Sequence, residues 1–135
     1  MGFTNVDGLP HNTCRCLALL PSGDVWIGTD RGLALLDTRR NLILPYTNVE
    51  DSVLSLALNG DTLVVGRSTD VYFILMRGTP TTFDDDLIRI PDSLADHGAQ
   101  TLCWFEGRLW LGSSNDGLRC YEPASGNFFK VVSLP

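Results

Sequence analysis

Gly23-Asp24-Val25-Trp26-Ile27-Gly28-Thr29-Asp30-Arg31-Gly32-Leu33 returns later in the chain as Gly107-Arg108-Leu109-Trp110-Leu111-Gly112-Ser113-Ser114-Asn115-Asp116-Gly117-Leu118. A worn copy lies between them, Gly60-Asp61-Thr62-Leu63-Val64-Val65-Gly66-Arg67-Ser68-Thr69-Asp70-Val71. The glycines that close the apolar part, Gly28, Gly66 and Gly112, stand 38 and 46 residues apart. Each copy is a short apolar run bounded by glycine-bearing turns, a pattern that belongs to strands and not to helices.

A period of that size in short strands points to a stacked all-β array such as a β-propeller. Working outward from each copy gives a unit of four strands: 14–20, 25–29, 33–37 and 42–46; then 53–58, 63–67, 71–76 and 87–90; then 101–105, 109–113, 118–121 and 128–132. Most connections are short and polar or glycine-bearing, as antiparallel hairpins require. The exception, 77–86, accounts for the longer second spacing. The expected fold is therefore all-β, with about twelve strands in three four-stranded antiparallel blades, at about 10–48, 49–96 and 97–135. The best helical candidate, 92–97, is a single turn at most.

The repeated residues have physical roles. Trp26 and Trp110 sit mid-strand, where a large ring fills the wedge between neighbouring sheets. Gly28, Gly66 and Gly112 end that strand where backbones approach closely. Gly32 and Gly117 suit a turn position with positive φ. The second unit has Val64 in place of tryptophan and Asp70 near the second glycine position, so its turn chemistry is expected to be weaker.

The phrase Gly-x-(aliphatic)-Trp-(aliphatic)-Gly-Thr/Ser-x-x-Gly-Leu resembles the two-component regulator propeller repeat. The lead-in Asp7-Gly8-Leu9-Pro10-His11-Asn12-Thr13 and the turn Glu122-Pro123-Ala124-Ser125-Gly126-Asn127-Phe128 resemble that family as well. The resemblance covers units one and three strongly and unit two weakly. It implies a propeller with strands ordered from centre to rim. It also implies a sensor setting, since many members form extracytoplasmic sensor regions of hybrid histidine kinases, often binding carbohydrate.

Composition narrows the function. With 135 residues, 44% hydrophobic and 19% charged, the chain suits one globular domain. Its net charge of −6, with a single lysine at Lys130, argues against nucleic acid, which demands a basic footprint. No apolar run approaches the roughly 20 residues of a membrane span, and residues 1–6 carry neither the basic nor the apolar part of a signal peptide. The compartment stays open. Cys14, Cys16, Cys103 and Cys120 lack metal or redox spacing and read as small strand hydrophobes, Cys14 and Cys16 sharing one face.

No nucleophile elbow, zinc-protease motif or phosphate-cradling loop is present, and no cofactor or metal is expected. Asp84-Asp85-Asp86 reads as a solvated acidic loop. Inner strands offer only Arg15, Ser55 and Thr101 as their main polar groups, which makes an enzyme the weakest of three readings. The others are a binding or sensing module and a structural assembly unit. In a propeller, the connections into the inner strands and the turns between second and third strands share one rim, where recognition residues concentrate. The candidate ligand-binding residues there are His11, Asp30, Arg31, Asp70, His97, Asn115 and Asp116, with Arg31 foremost because its planar fork holds a carboxylate or sugar hydroxyl. Asp7, Asn12, Glu50, Asp51, Ser68 and Gln100 lie on the same expected rim.

Residues 3–5 resemble 46–48, and Leu134-Pro135 resembles Leu9-Pro10, so both ends are expected at blade junctions. Three blades fill about half of a six- to eight-bladed ring. The expected partner is a second copy, giving a homo-oligomer and most simply a six-bladed dimer; the alternative is a fragment of a longer propeller. A carbohydrate or protein ligand completes the list, with neither nucleic acid nor membrane on it.

Overall fold

The computed structural model of the chain describes residues 8–46, 49, 51–76, 87–89, 98–113 and 117–130. Sheet 1 contains β1 (Cys14–Leu19), β2 (Val25–Thr29), β3 (Gly32–Asp37) and β4 (Leu42–Tyr46). Sheet 2 contains β5 (Ser55–Asn59), β6 (Thr62–Gly66), β7 (Val71–Leu75) and β8 (Leu87–Arg89), and sheet 3 contains β9 (Thr101–Phe105), β10 (Arg108–Ser113), β11 (Gly117–Glu122) and β12 (Asn127–Lys130). Each is an antiparallel meander in chain order, and no helix occurs among the described residues. The alternation of apolar residues had placed every strand to within two residues of these bounds. The candidate turn at 92–97 and the 77–86 insertion lie outside the described residues.

Strand alternation decides which side chains meet the next sheet. In β2, Trp26 points one way while Val25 and Ile27 point the other; Val64 and Trp110 hold the tryptophan position in β6 and β10. Trp26 joins Leu33, Leu35 and Tyr46 in a core shared with Leu63, Val65 and Ile74, and so lies between sheets 1 and 2. Val64 and Val71 join Leu109, Leu111 and Tyr121 between sheets 2 and 3. The tryptophan position thus faces the following sheet, and its two neighbours face the preceding one. Innermost strands run alongside each other, β5 lying against β1 on one side and β9 on the other.

Two of the three closing glycines, Gly28 and Gly66, mark where sheets are stitched together. A Cβ on Gly28 would meet the Cys16 thiol and sit 2.6 Å from Val53 Cγ1; on Gly66 it would meet the Ser55 hydroxyl and sit 2.7 Å from the Ala99 carbonyl oxygen. Such distances exclude a side chain. The close approach lets Val53 N–H donate to Thr29 O at 2.9 Å, and Ala99 N–H donate to Arg67 O at 2.9 Å, the same bond one unit later. Ser55 Oγ donates to Ala99 O at 2.9 Å in a buried position, and Cys16 Sγ lies 3.9 Å from Val53 O in the corresponding place.

Two local features differ from the expectation. The register of β1 against β2 slips by one residue between Cys14 and Cys16: Cys14 pairs with Thr29 and Cys16 with Gly28. Thr29 alternates with the Ile27 side and Gly28 with the Trp26 side. Cys14 and Cys16 therefore belong to opposite faces, one exposed and one half-buried, because a bulge inserts a residue into a period-two strand. All four cysteines are free.

The second feature is the worn turn of sheet 2. Gly32 and Gly117 have positive φ, +133° and +69°, as their turn positions require, whereas Asp70 does not. Arg67 N–H donates to Asp70 O at 3.0 Å, and the Arg67 guanidinium forks onto the Asp70 carboxylate at 2.6 and 2.9 Å. The same guanidinium lies 4.7 Å from the centre of the Tyr72 ring. The turn is closed by a bidentate ion pair instead of by glycine.

Candidate binding rim

The bulge at Arg15 and the β2–β3 turn put opposite charges side by side. Arg15 Nε donates to Asp30 Oδ1, and Ser52 Oγ, on the approach to β5, lies 3.5 Å from the same oxygen. Asp30 N–H also bonds Thr13 O at 3.1 Å, fixing the turn to the entry of β1. The hydrogen bond from Arg15 is the main reason that Asp30 is held below the usual carboxylate range, against a smaller opposing effect of burial. Thr29 Oγ1, fully buried, donates to Gly32 O at 2.9 Å and accepts from Arg31 N–H at 3.2 Å, so the turn presents Arg31 outward.

Sheet 2 offers a second charged group at the corresponding end. Arg67 bridges Asp70, as above, and Asp51 Oδ2 at 3.4 Å. Asp70 raises the pKa of Arg67 further, so this guanidinium is a permanent cation. The rim therefore alternates in sign across two sheets: Arg15 with Asp30, then Asp51 with Arg67 and Asp70.

Of the residues expected here, Asp30 and Asp70 are in these pairs. His11 lies at the entry of β1, its Nδ1 accepting from Thr13 N–H at 3.0 Å. Arg31 is exposed and forms no ion pair among the described residues. His97, Asn115 and Asp116 lie outside the described residues, as do Asp7, Glu50 and Asp84–Asp86. Arg15 and Arg67, which complete these pairs, were not among the residues expected there. Arg15 was legible as a polar residue of the inner strand, and Arg67 through the Arg-x-x-Asp spacing across a turn. Among the described residues, no group of three His, Cys, Asp or Glu side chains is placed to hold a metal ion. No helix among them is long and apolar enough to cross a membrane.

The geometry agrees with what the chain is similar to. The family model for the two component regulator propeller matches residues 8–31, the entry to sheet 1 through its β2–β3 turn. No curated protein matches the sequence. Among solved structures, the extracellular domain of BT4673 from B. thetaiotaomicron, described as a one component system, aligns with a TM-score of 0.69 and 23% identity over 94% of this chain and 18% of that one. PorZ of Porphyromonas gingivalis, a surface component of the type-IX secretion system, aligns with a TM-score of 0.63 and 17% identity over 90% of this chain and 22% of that one. The chain thus spans about a fifth of each of these structures. Residues 8–31 are thus similar to the two component regulator propeller repeat, and the three antiparallel sheets among the described residues resemble a propeller.

Proposed function

We propose that the chain is a non-catalytic binding module of the sensor type, which assembles with other copies and offers one rim to a carbohydrate, peptide or protein. The observation that carries this reading is the alternating rim of Arg15–Asp30 and Asp51–Arg67–Asp70, set on the ends of adjacent sheets. Ion pairs at a surface contribute little to stability, but they hold donors and acceptors in fixed directions. Fixed donor–acceptor rows suit a ligand rich in hydroxyl or amide groups, and the exposed Arg31 adds a fork for a carboxylate. The inner-strand hydroxyl of Ser55 is committed to Ala99 O, which leaves it poorly placed as a nucleophile. The extracellular setting named for BT4673 and the surface setting of PorZ support an extracytoplasmic role.

A glycan and peptide array followed by calorimetry tests this. Binding that weakens at least about tenfold in Asp30→Ala and Arg31→Ala, roughly 1.4 kcal/mol each, supports the rim; binding unchanged in both removes it. A second reading, a structural assembly unit, draws on the exposed apolar residues at the two ends of the stack. An array that yields no ligand favours that reading.

A further inference from the structure

Part of each half of the sheet-to-sheet interface is exposed on this one chain, although Ile27, Ala34 and Ile43 on one face and Cys120 on the other are buried. On the tryptophan side, Leu33 and Val71 are fully buried against the following sheet, whereas Leu118, in the same place on sheet 3, is 37% exposed. Trp110 is only partly buried and Cys103 is exposed, although their counterparts Trp26 and Ala57 are buried. Phe105, at the end of β9, is 60% exposed where Leu20 of unit one is buried. On the other side, Leu56 and Leu58 of β5 pack into the first interface, and Leu102 and Trp104 of β9 into the second. Their counterparts on β1, Leu17 and Leu19, are 62% and 69% exposed.

We propose that the Trp110 face of sheet 3 docks onto the Leu17–Leu19 face of sheet 1 in a second copy of this chain, head to tail. This specifies the assembly part of the proposed function and is independent of the rim. The argument is continuity with two interfaces that already exist. The same repeat positions meet twice within the chain, sheet 1 on sheet 2 and sheet 2 on sheet 3. The third meeting has its donor half at one end and its acceptor half at the other. The connecting segment fits the scheme too: Val49 and Val53 contribute to the first interface and Ala99 to the second. Leu9 already covers Ile27, Ala34 and Ile43 on the outer face of sheet 1, all of them buried, so what a second copy would meet there is Leu17 and Leu19. Thr101 carries a hydroxyl at the place where Ser55 Oγ reaches the next unit's backbone. Such a contact joins different surfaces of the two copies, so it builds a ring when its rotation closes.

Two variants test the docking by size-exclusion chromatography with light scattering. Leu17→Glu with Leu19→Glu blocks the sheet 1 face, and Phe105→Glu with Leu118→Glu blocks the sheet 3 face. All four side chains are exposed in the single chain, so the fold should survive, as circular dichroism will show. Should a charged pair unfold, Leu17→Ser and Leu118→Ser take its place. Wild type is expected to run as a multiple of one chain and each blocked variant as one chain. Their equimolar mixture should form a two-chain species, since one intact half comes from each. Wild type that stays a single chain up to its solubility limit overturns the proposal. So do blocked variants that stay associated, or a mixture that forms no pair. Ligand binding retained by the blocked variants keeps the rim reading separate from this outcome.

Discussion

Trp26 meets Tyr46 edge-on, ring centroids 5.6 Å apart and planes at 75°, and the pair is sealed between sheets 1 and 2. Trp110 holds the same place in sheet 3 and faces the same way along the stack, but it is only partly buried. The two tryptophans are one device used twice, once with a following sheet and once with none among the described residues. Packing around them therefore reports whether a neighbouring sheet is present.

Replacing Trp26 by alanine should cost about 3–5 kcal/mol, the usual range for emptying a fully buried aromatic site. The same change at Trp110 should cost about 1–2 kcal/mol in the single chain, because part of its surface is already in water. Urea unfolding of both variants, at a concentration where the chain is not associated, measures the difference. Equal costs would mean that the two positions are packed alike.

Gly66→Ala should destabilise more than Gly112→Ala. At Gly66 the new Cβ meets the buried Ser55 hydroxyl and, at 2.7 Å, the Ala99 carbonyl oxygen, and backbone yields poorly. At Gly112 the close neighbour is the exposed Thr101 side chain, which can rotate away. Thermal melts of the two variants should separate by several degrees, since about 1 kcal/mol moves the midpoint of a domain this size by ~4 °C.

The Arg15–Asp30 pair should make stability depend on pH in a defined direction. Asp30 has a folded-state pKa below its unfolded value of 3.8, so its contribution is present above that value and is lost as pH falls through the folded pKa. Arg15→Gln should therefore lower stability at neutral pH and have a vanishing effect at the acid end of the unfolding curve. A deficit that grows on acidification would contradict the assignment. The Asp37–Arg40 pair, shifted the same way, serves as an untouched control.

Thiol reactivity should separate two cysteines that stand two apart. Burial pushes the Cys16 thiol up to about 11, so it stays protonated and unreactive across the neutral range, while Cys14 is exposed. Iodoacetamide at pH 8 followed by peptide mass mapping should label Cys14 well before Cys16. The Cys16 rate should then rise steeply only as pH nears 11. Equal labelling would place both residues on one face, as strict alternation had suggested.

The strands were legible because alternation, glycine punctuation and the tryptophan phrase all act within a few residues. The bulge at Arg15 was not legible, since register is a property of β1 and β2 together and Cys14-Arg15-Cys16 alternates acceptably on its own. The ion pair that closes the turn of sheet 2 was not legible for a related reason. Asp70 was compared with the glycine it replaces, when its function comes from Arg67 three residues earlier. The charged pairs were half-legible: position in the repeat singled out Asp30 and Asp70, but only pairing geometry brought in Arg15 and Arg67.

The most direct test of the account is the size of the unmodified chain in solution. Sedimentation velocity over a wide concentration series should show a shift from one chain toward a larger, closed species, as the Trp110 face of one copy covers Leu17 and Leu19 of another. A single chain with an unchanged sedimentation coefficient across the whole series would contradict it.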